Sequence, residues 1–146
     1  MNETHGFFQI TQKLFLRNQN SILILRDRKS GHGDLPGGRI NEPEFFGDWL
    51  EGLKRELREE LGENIQYDIE PQPIFFARHR VVEGKYPCLI VAYEGKFLGG
   101  DIQLSNEHDY MEWVDRETYN PEPLFKKHLL FAVSSYLQNP AFRGIL

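Results

Sequence analysis

Glu56, Glu59 and Glu60 are the residues of this chain whose types and spacing could do chemistry. Positions i, i+3 and i+4 share one face of a helix, so a helix over residues 48–62 (DWLEGLKRELREELG) would crowd three carboxylates together. Such crowding is relieved by interleaved Lys or Arg, or by a bound cation. Mg²⁺ and Mn²⁺ are hard ions that prefer oxygen ligands, so this is a ligand set suited to them. The helix itself is predicted by Leu50, Leu53, Leu57 and Leu61, which fall in one narrow stripe at 100° per residue and read as its buried face. Asp48 is placed to cap its N-terminus with Glu51 three residues on, and Gly62 stands where a left-handed C-terminal residue is expected. Upstream, Leu35-Pro36-Gly37-Gly38 is a turn whose glycines let the backbone approach another group closely, and a glycine carbonyl there could add an oxygen ligand.

The elements that must position this stretch are short and alternate in type. Residues 7–17 read as a strand, Asn18-Gln19-Asn20 as a turn, and residues 21–26 as a central strand paired back on the first. Residues 27–34 read as a polar loop in which Arg26, Arg28 or Lys29 could lie near substrate phosphates. After the helix, residues 65–69 form a short strand. Residues 74–82 and 87–97 form a hairpin across Glu83-Gly84-Lys85. Side-chain alternation puts Phe76, Arg78 and Arg80 on one face of that hairpin, and the two arginines are candidate phosphate contacts because a guanidinium grips phosphate oxygens in a forked geometry. His79, on the other face, reads as an edge or core histidine. A loop is expected from Gly99 to Met111, then a short strand, Glu112-Trp113-Val114, with Trp113 in the core. From Pro123 the apolar positions Phe125, Leu129, Ala132 and Tyr136 recur at helical spacing, and Asn139-Pro140 ends that helix.

Composition bounds the answer. The 146 residues suit one domain over 1–146, and 40% apolar content can supply a core. A formal net charge of −5 argues against a general nucleic-acid surface, whose affinity rests on Lys and Arg. The one cysteine, Cys88, lies in an apolar run and reads as a buried structural thiol in a reducing compartment. No apolar run is long enough to span a membrane, and the N-terminus lacks the form of a signal peptide, so a cytoplasmic location is expected.

The central stretch resembles the Nudix box: a glycine, five residues, a glutamate, seven residues, then Arg-Glu-apolar-x-Glu-Glu-x-Gly-apolar. Gly38 and Glu44 match the first part, and residues 55–62 (RELREELG) match the second. Two departures stand out. Ten residues separate Glu44 from Arg55, three more than the pattern, read here as a longer loop around Pro43 to Gly47; and Glu63 replaces an apolar residue. The resemblance implies an α/β fold, the Nudix α/β/α sandwich, with a mixed sheet between the box helix and the C-terminal helix.

It also implies Mg²⁺- or Mn²⁺-dependent hydrolysis of a nucleoside diphosphate linked to another moiety X, giving a nucleoside monophosphate and phosphorylated X. Glu56, Glu59 and Glu60 are then the core metal ligands, with the Gly37 carbonyl, and Glu56 or Glu59 is a candidate general base. Arg55 orients Glu59, and Glu44 pairs with Arg55 if the longer loop permits. A further acidic ligand or base is expected before the tryptophan: Glu107, with Asp109 and Glu112 as alternatives. The partner is a small nucleotide; nucleic acid and membrane are not expected, and the family admits a homodimer that no feature of the chain forces. Two other readings are a nucleotide-sensing Nudix-like domain that does not cleave and an RNA 5′-end pyrophosphohydrolase, which would want a basic groove with stacking aromatics.

Overall fold

A computed structural model describes residues 3–81 and 86–139, with the side-chain surroundings of Arg80, Val81 and Tyr86 left aside. Among these residues eight strands hydrogen-bond into one mixed sheet: β1 (Gln9–Asn18), β2 (Ser21–Asp27), β3 (Gly33–Asp34), β4 (Gly37–Arg39), β5 (Ile65–Ile69), β6 (Phe75–Val81), β7 (Tyr86–Gly100) and β8 (His108–Asp115). Three helices accompany it: α1 (Glu42–Phe45), α2 (Trp49–Leu61) and α3 (Lys127–Gln138).

β1 is the spine. It runs parallel to β7 from Gln9↔Cys88 to Arg17↔Lys96, while its other edge meets β4 and then turns through Gln19-Asn20 into antiparallel β2. β7 carries β6 and β5 on its far edge, and β2 carries β8. The alternation of side chains along a strand splits the core in two. Leu14, Leu16, Leu23 and Leu25 point to one face and pack with Leu53, Leu57 and Leu61 of α2. Phe15, Ile22 and Ile24 point to the other and pack with Leu129, Ala132, Val133 and Tyr136 of α3. The expected α/β/α sandwich follows directly: an apolar stripe on each helix covers an apolar row on each sheet face.

Several boundaries differ from the sequence reading. The extra residues before α2 are not a plain loop but include the one-turn helix α1, with Phe45 and Phe46 in edge contact (centroids 5.1 Å apart). β7 continues through Gly100 and β8 begins at His108, so the expected loop from Gly99 to Met111 shrinks to residues 101–107. That segment is held down by Gln103 N–H to Leu61 O (2.9 Å) and Ser105 N–H to Glu60 O (3.2 Å), a docking onto the end of α2 that composition does not reveal. α3 starts at Lys127 rather than at Pro123. Asp48 caps α2 as expected, accepting from Leu50 N–H at 2.9 Å. The hairpin turn at Glu83-Gly84-Lys85 and the helix-ending Pro140 lie outside the described residues. Among the described residues no helix is long and apolar enough to cross a membrane.

Candidate active site

The buried stripe of α2 fixes where its carboxylates go. With Leu53, Leu57 and Leu61 fully buried against the sheet, Glu56 and Glu60 turn toward the Leu35–Gly38 segment and Glu59 toward solvent. Glu60 is only 2% exposed, and its Oε1 accepts the Gly37 N–H at 2.7 Å. Burial pushes its carboxyl up to about 8, against the opposing charge of Lys13 and that backbone hydrogen bond. Glu56 lies directly over Gly38: a Cβ there would come within 2.5 Å of the Glu56 Cδ. Burial raises the Glu56 carboxyl too, with Arg55 opposing and the charges of Glu59 and Glu107 adding to the rise. Gly37 and Gly38, expected in a turn, instead open β4 against β1; Gly38 is what admits Glu56, and Gly37 is what holds Glu60.

Arg55 ties the acids together. Its Nε and Nη2 grip both oxygens of Glu44 (2.9 and 3.0 Å), Nη1 reaches Glu59 (3.1 Å) and Nη2 also meets Glu56 (3.1 Å). The three extra residues therefore do not cost Glu44 its partner. α1 turns Glu44 back, and the Asn41 N–H donates to its Oε1 (2.9 Å). Lys cannot reproduce a two-pronged grip. Arg55→Lys is expected to keep the fold and to lower kcat by about ten- to a hundredfold, the range typical of losing a group that orients neighbouring functional side chains. Steady-state kinetics of the folded variant would check this; an unchanged kcat would remove Arg55 from the orienting role.

Three further groups converge on Glu60 that the sequence did not single out. Lys13, on β1, donates to Asp34 Oδ1 (2.8 Å) and to the Leu35 carbonyl (3.2 Å). Asp34 Oδ2 lies 2.8 Å from His108 Nε2, and His108 Nδ1 lies 3.8 Å from Glu60 Oε2. Burial would raise Asp34, but the Lys13 charge and the His108 and Lys13 hydrogen bonds hold it well below the usual carboxylate range. Burial would likewise lower Lys13 and His108, yet the carboxylates around them, Asp34 foremost, leave both raised. Asp34, Glu60 and His108 form a group of side chains close enough together to hold a metal ion. Asp34 adjoins the Leu-Pro-Gly-Gly turn and His108 follows Glu107, so proximity to those positions was the one available signal; nothing marked Lys13.

The remaining candidates fall into different places. The Glu107 carbonyl accepts from Arg28 N–H (2.9 Å), and its side chain is exposed, near enough to Glu56 to add to the rise of that carboxyl. Arg26 and Arg28 are engaged within the protein: Arg26 Nε pairs with Asp109 (2.8 Å) beside the Tyr110 ring, and Arg28 Nε donates to Asn106 O (2.9 Å). They pin the segment carrying Glu107 instead of standing free. Asp109 is thereby committed to Arg26, and Glu112 accepts from the Tyr110 hydroxyl at 2.5 Å. Lys29 is exposed. Arg78 is exposed on β6, paired in register with Leu89; the Arg80 side chain lies outside the described residues. Cys88 is buried, as expected, and burial raises its thiol. Trp113 is partly buried and packs its ring on Phe97 (centroids 5.1 Å).

The model of the NUDIX domain matches residues 9–132, so the chain belongs to the Nudix family and is a hydrolase of that family. Solved structures repeat the fold. The MutT protein of Methanosarcina mazei Go1 superposes with a TM-score of 0.70 at 22% identity, over 92% of this chain and 96% of that one. The E. coli ORF135 protein gives 0.69 at 20%, over 95% of each chain. A C. elegans Ap4A hydrolase, solved as a binary complex, gives 0.62 at 21%, over 74% of this chain and 80% of that one. No curated protein matches the chain in sequence.

Proposed function

We propose that this hydrolase cleaves the phosphoanhydride of a nucleoside diphosphate linked to a second moiety X, with Mg²⁺ or Mn²⁺. The observation that carries the reading is the convergence of Glu56 and Glu60 on Gly37 and Gly38 at the start of β4, with Glu59 beside them on Arg55. The donors fit a hard cation: they are carboxylate oxygens, in a space that glycine keeps open. Glu56, Glu59 and Glu60 would hold the ion, with the Gly37 carbonyl and Glu107 as further oxygen donors. When bound, the ion supplies charge neutralisation of the diphosphate and a water of lowered pKa. The protein's own residues do the rest. Arg55 holds Glu59 in one orientation and ties it to Glu44 and Glu56. Glu56 or Glu59 takes the proton of the attacking water. Arg26 and Arg28 fix the loop that carries Glu107. Arg78 and Arg80 remain the candidates for contact with the substrate.

A product assay tests this. Nucleoside triphosphates, ADP-ribose, nucleotide sugars, dinucleoside polyphosphates and 5′-triphosphate RNA would be offered with and without each metal. Metal-dependent cleavage of one class identifies X. Absence of cleavage, with nucleotide binding still visible by thermal shift, would overturn the reading in favour of a sensor.

Cation affinity should also follow pH. A cation must displace the proton that burial keeps on Glu60, so affinity is expected to rise about tenfold per pH unit up to about 8 and to flatten above it, with protons released on binding. Calorimetry in buffers of different ionisation enthalpy would show this. An affinity flat from pH 6 to 8 would exclude Glu60 as a ligand.

A further inference from the structure

The imidazole of His108 is 2% exposed, and its Nδ1 is a buried atom with no hydrogen-bond partner. A buried polar atom without a partner is costly and calls for an explanation. Its surroundings supply one. On the far side of the ring, Nε2 meets Asp34 Oδ2 at 2.8 Å. In the neutral ring, with Nε2 carrying the hydrogen toward that carboxylate, Nδ1 presents a bare lone pair. Asp34 is saturated in turn, because Lys13 holds its other oxygen at 2.8 Å. The lone pair of Nδ1 therefore looks toward Glu60 Oε2, 3.8 Å away, while Glu60 Oε1 is occupied by the Gly37 N–H. At 3.8 Å the two atoms are too far apart for a hydrogen bond between them. They suit a shared ion: ligands each about 2.0–2.2 Å from one cation stand roughly 3.0–3.5 Å apart, a small side-chain adjustment away.

We infer that His108 Nδ1 and Glu60 Oε2 together bind one divalent cation, with Asp34 as the outer carboxylate that fixes the imidazole and Lys13 as the charge that fixes Asp34. Resting on the proposed role of Glu60, this adds a nitrogen ligand to an otherwise all-oxygen set. Imidazole favours borderline ions such as Co²⁺ and Zn²⁺ over Mg²⁺, so the centre should accept the former more tightly than carboxylates alone would. The carboxylate–imidazole–metal arrangement fixes tautomer and ring orientation, as outer carboxylates do in histidine metal sites generally.

The test uses the whole chain and reads the metal, not turnover. Mn²⁺ is bound to protein containing ¹⁴N- or ¹⁵N-histidine and examined by pulsed electron paramagnetic resonance. Coupling to a directly bound ring nitrogen, changing with the isotope, is expected in the unaltered protein; His108 is the histidine of the metal-competent group among the described residues. His108→Gln keeps an amide donor for Asp34 and removes Nδ1. It should abolish the coupling and weaken Co²⁺ by at least about tenfold, with Mg²⁺ affected far less. Absence of nitrogen coupling in the unaltered protein overturns the inference whether or not the variant folds. So does coupling that persists in a folded His108→Gln. If Glu60→Gln loses Mn²⁺ but no nitrogen is ever seen, the carboxylate site stands and His108 alone is excluded.

Discussion

Glu60→Gln is expected to fold, to be no less stable than the unaltered protein without metal, and to lose at least about a hundredfold of its turnover. The loss lies at the upper end of what removing a residue that orients a metal ligand costs, because the proposed role of Glu60 is that of the anionic ligand itself. The fold survives because a glutamine carbonyl still accepts the Gly37 N–H that reaches Glu60 Oε1 at 2.7 Å. The stability claim has a definite sign. The folded carboxyl is pushed up to about 8 from the ordinary glutamate value of 4.5. Between those values the folded state holds a proton that the unfolded state has released, so metal-free stability falls as pH rises through that window. Glutamine removes that dependence. Urea unfolding of both proteins at pH 5 and pH 8, with kinetics alongside, checks every part. Retained turnover would dismiss Glu60 from the site, and identical pH slopes would dismiss its buried proton.

Gly37→Ala and Gly38→Ala should fail in opposite ways, although the residues adjoin. Gly37 sits at φ +132°, a conformation that side chains rarely adopt, and a Cβ there would come within 2.0 Å of the Gln12 carbonyl oxygen. Backbone strain and overpacking each cost about 1–3 kcal/mol. Gly37→Ala should therefore lose about 2–6 kcal/mol, much of what holds a domain of this size. At Gly38 the obstacle is the end of the Glu56 side chain, 2.5 Å away, which can swing aside. Gly38→Ala should stay within about 1 kcal/mol of the unaltered protein but lose roughly a hundredfold in kcat, because Glu56 would be displaced from its proposed role. Denaturation midpoints and kinetics on the two variants separate the cases. Equal destabilisation of both would contradict the division between a fold-bearing and a site-bearing glycine.

The local part of this protein could be read from its sequence because it obeys short periods. Leucines at helical spacing place the buried stripe of α2, and that phase alone sends Glu56 and Glu60 to one side. The two glycines that receive them stand in an unbroken run of turn residues, and the box spacing brought Arg55 into the same frame. The partners of Arg26 and Arg28, the survival of the Glu44–Arg55 pair across a lengthened connection, and the Lys13–Asp34–His108 chain could not be read so. The Glu44–Arg55 pair depends on how α1 folds back onto α2, and the others on strand register: Asp34 stands beside Leu25 because β3 pairs with β2, and His108 stands beside Asp27 because β8 pairs with the other edge of β2. Such pairings join residues from nine to about eighty positions apart, and a shift of one residue would turn each side chain to the opposite face. The sequence by itself determined the helix, the glycine pair beside it and the carboxylates that the helix carries. Only the tertiary structure decided which buried charges surround them, because register is set by the packing of the whole sheet between its two helices.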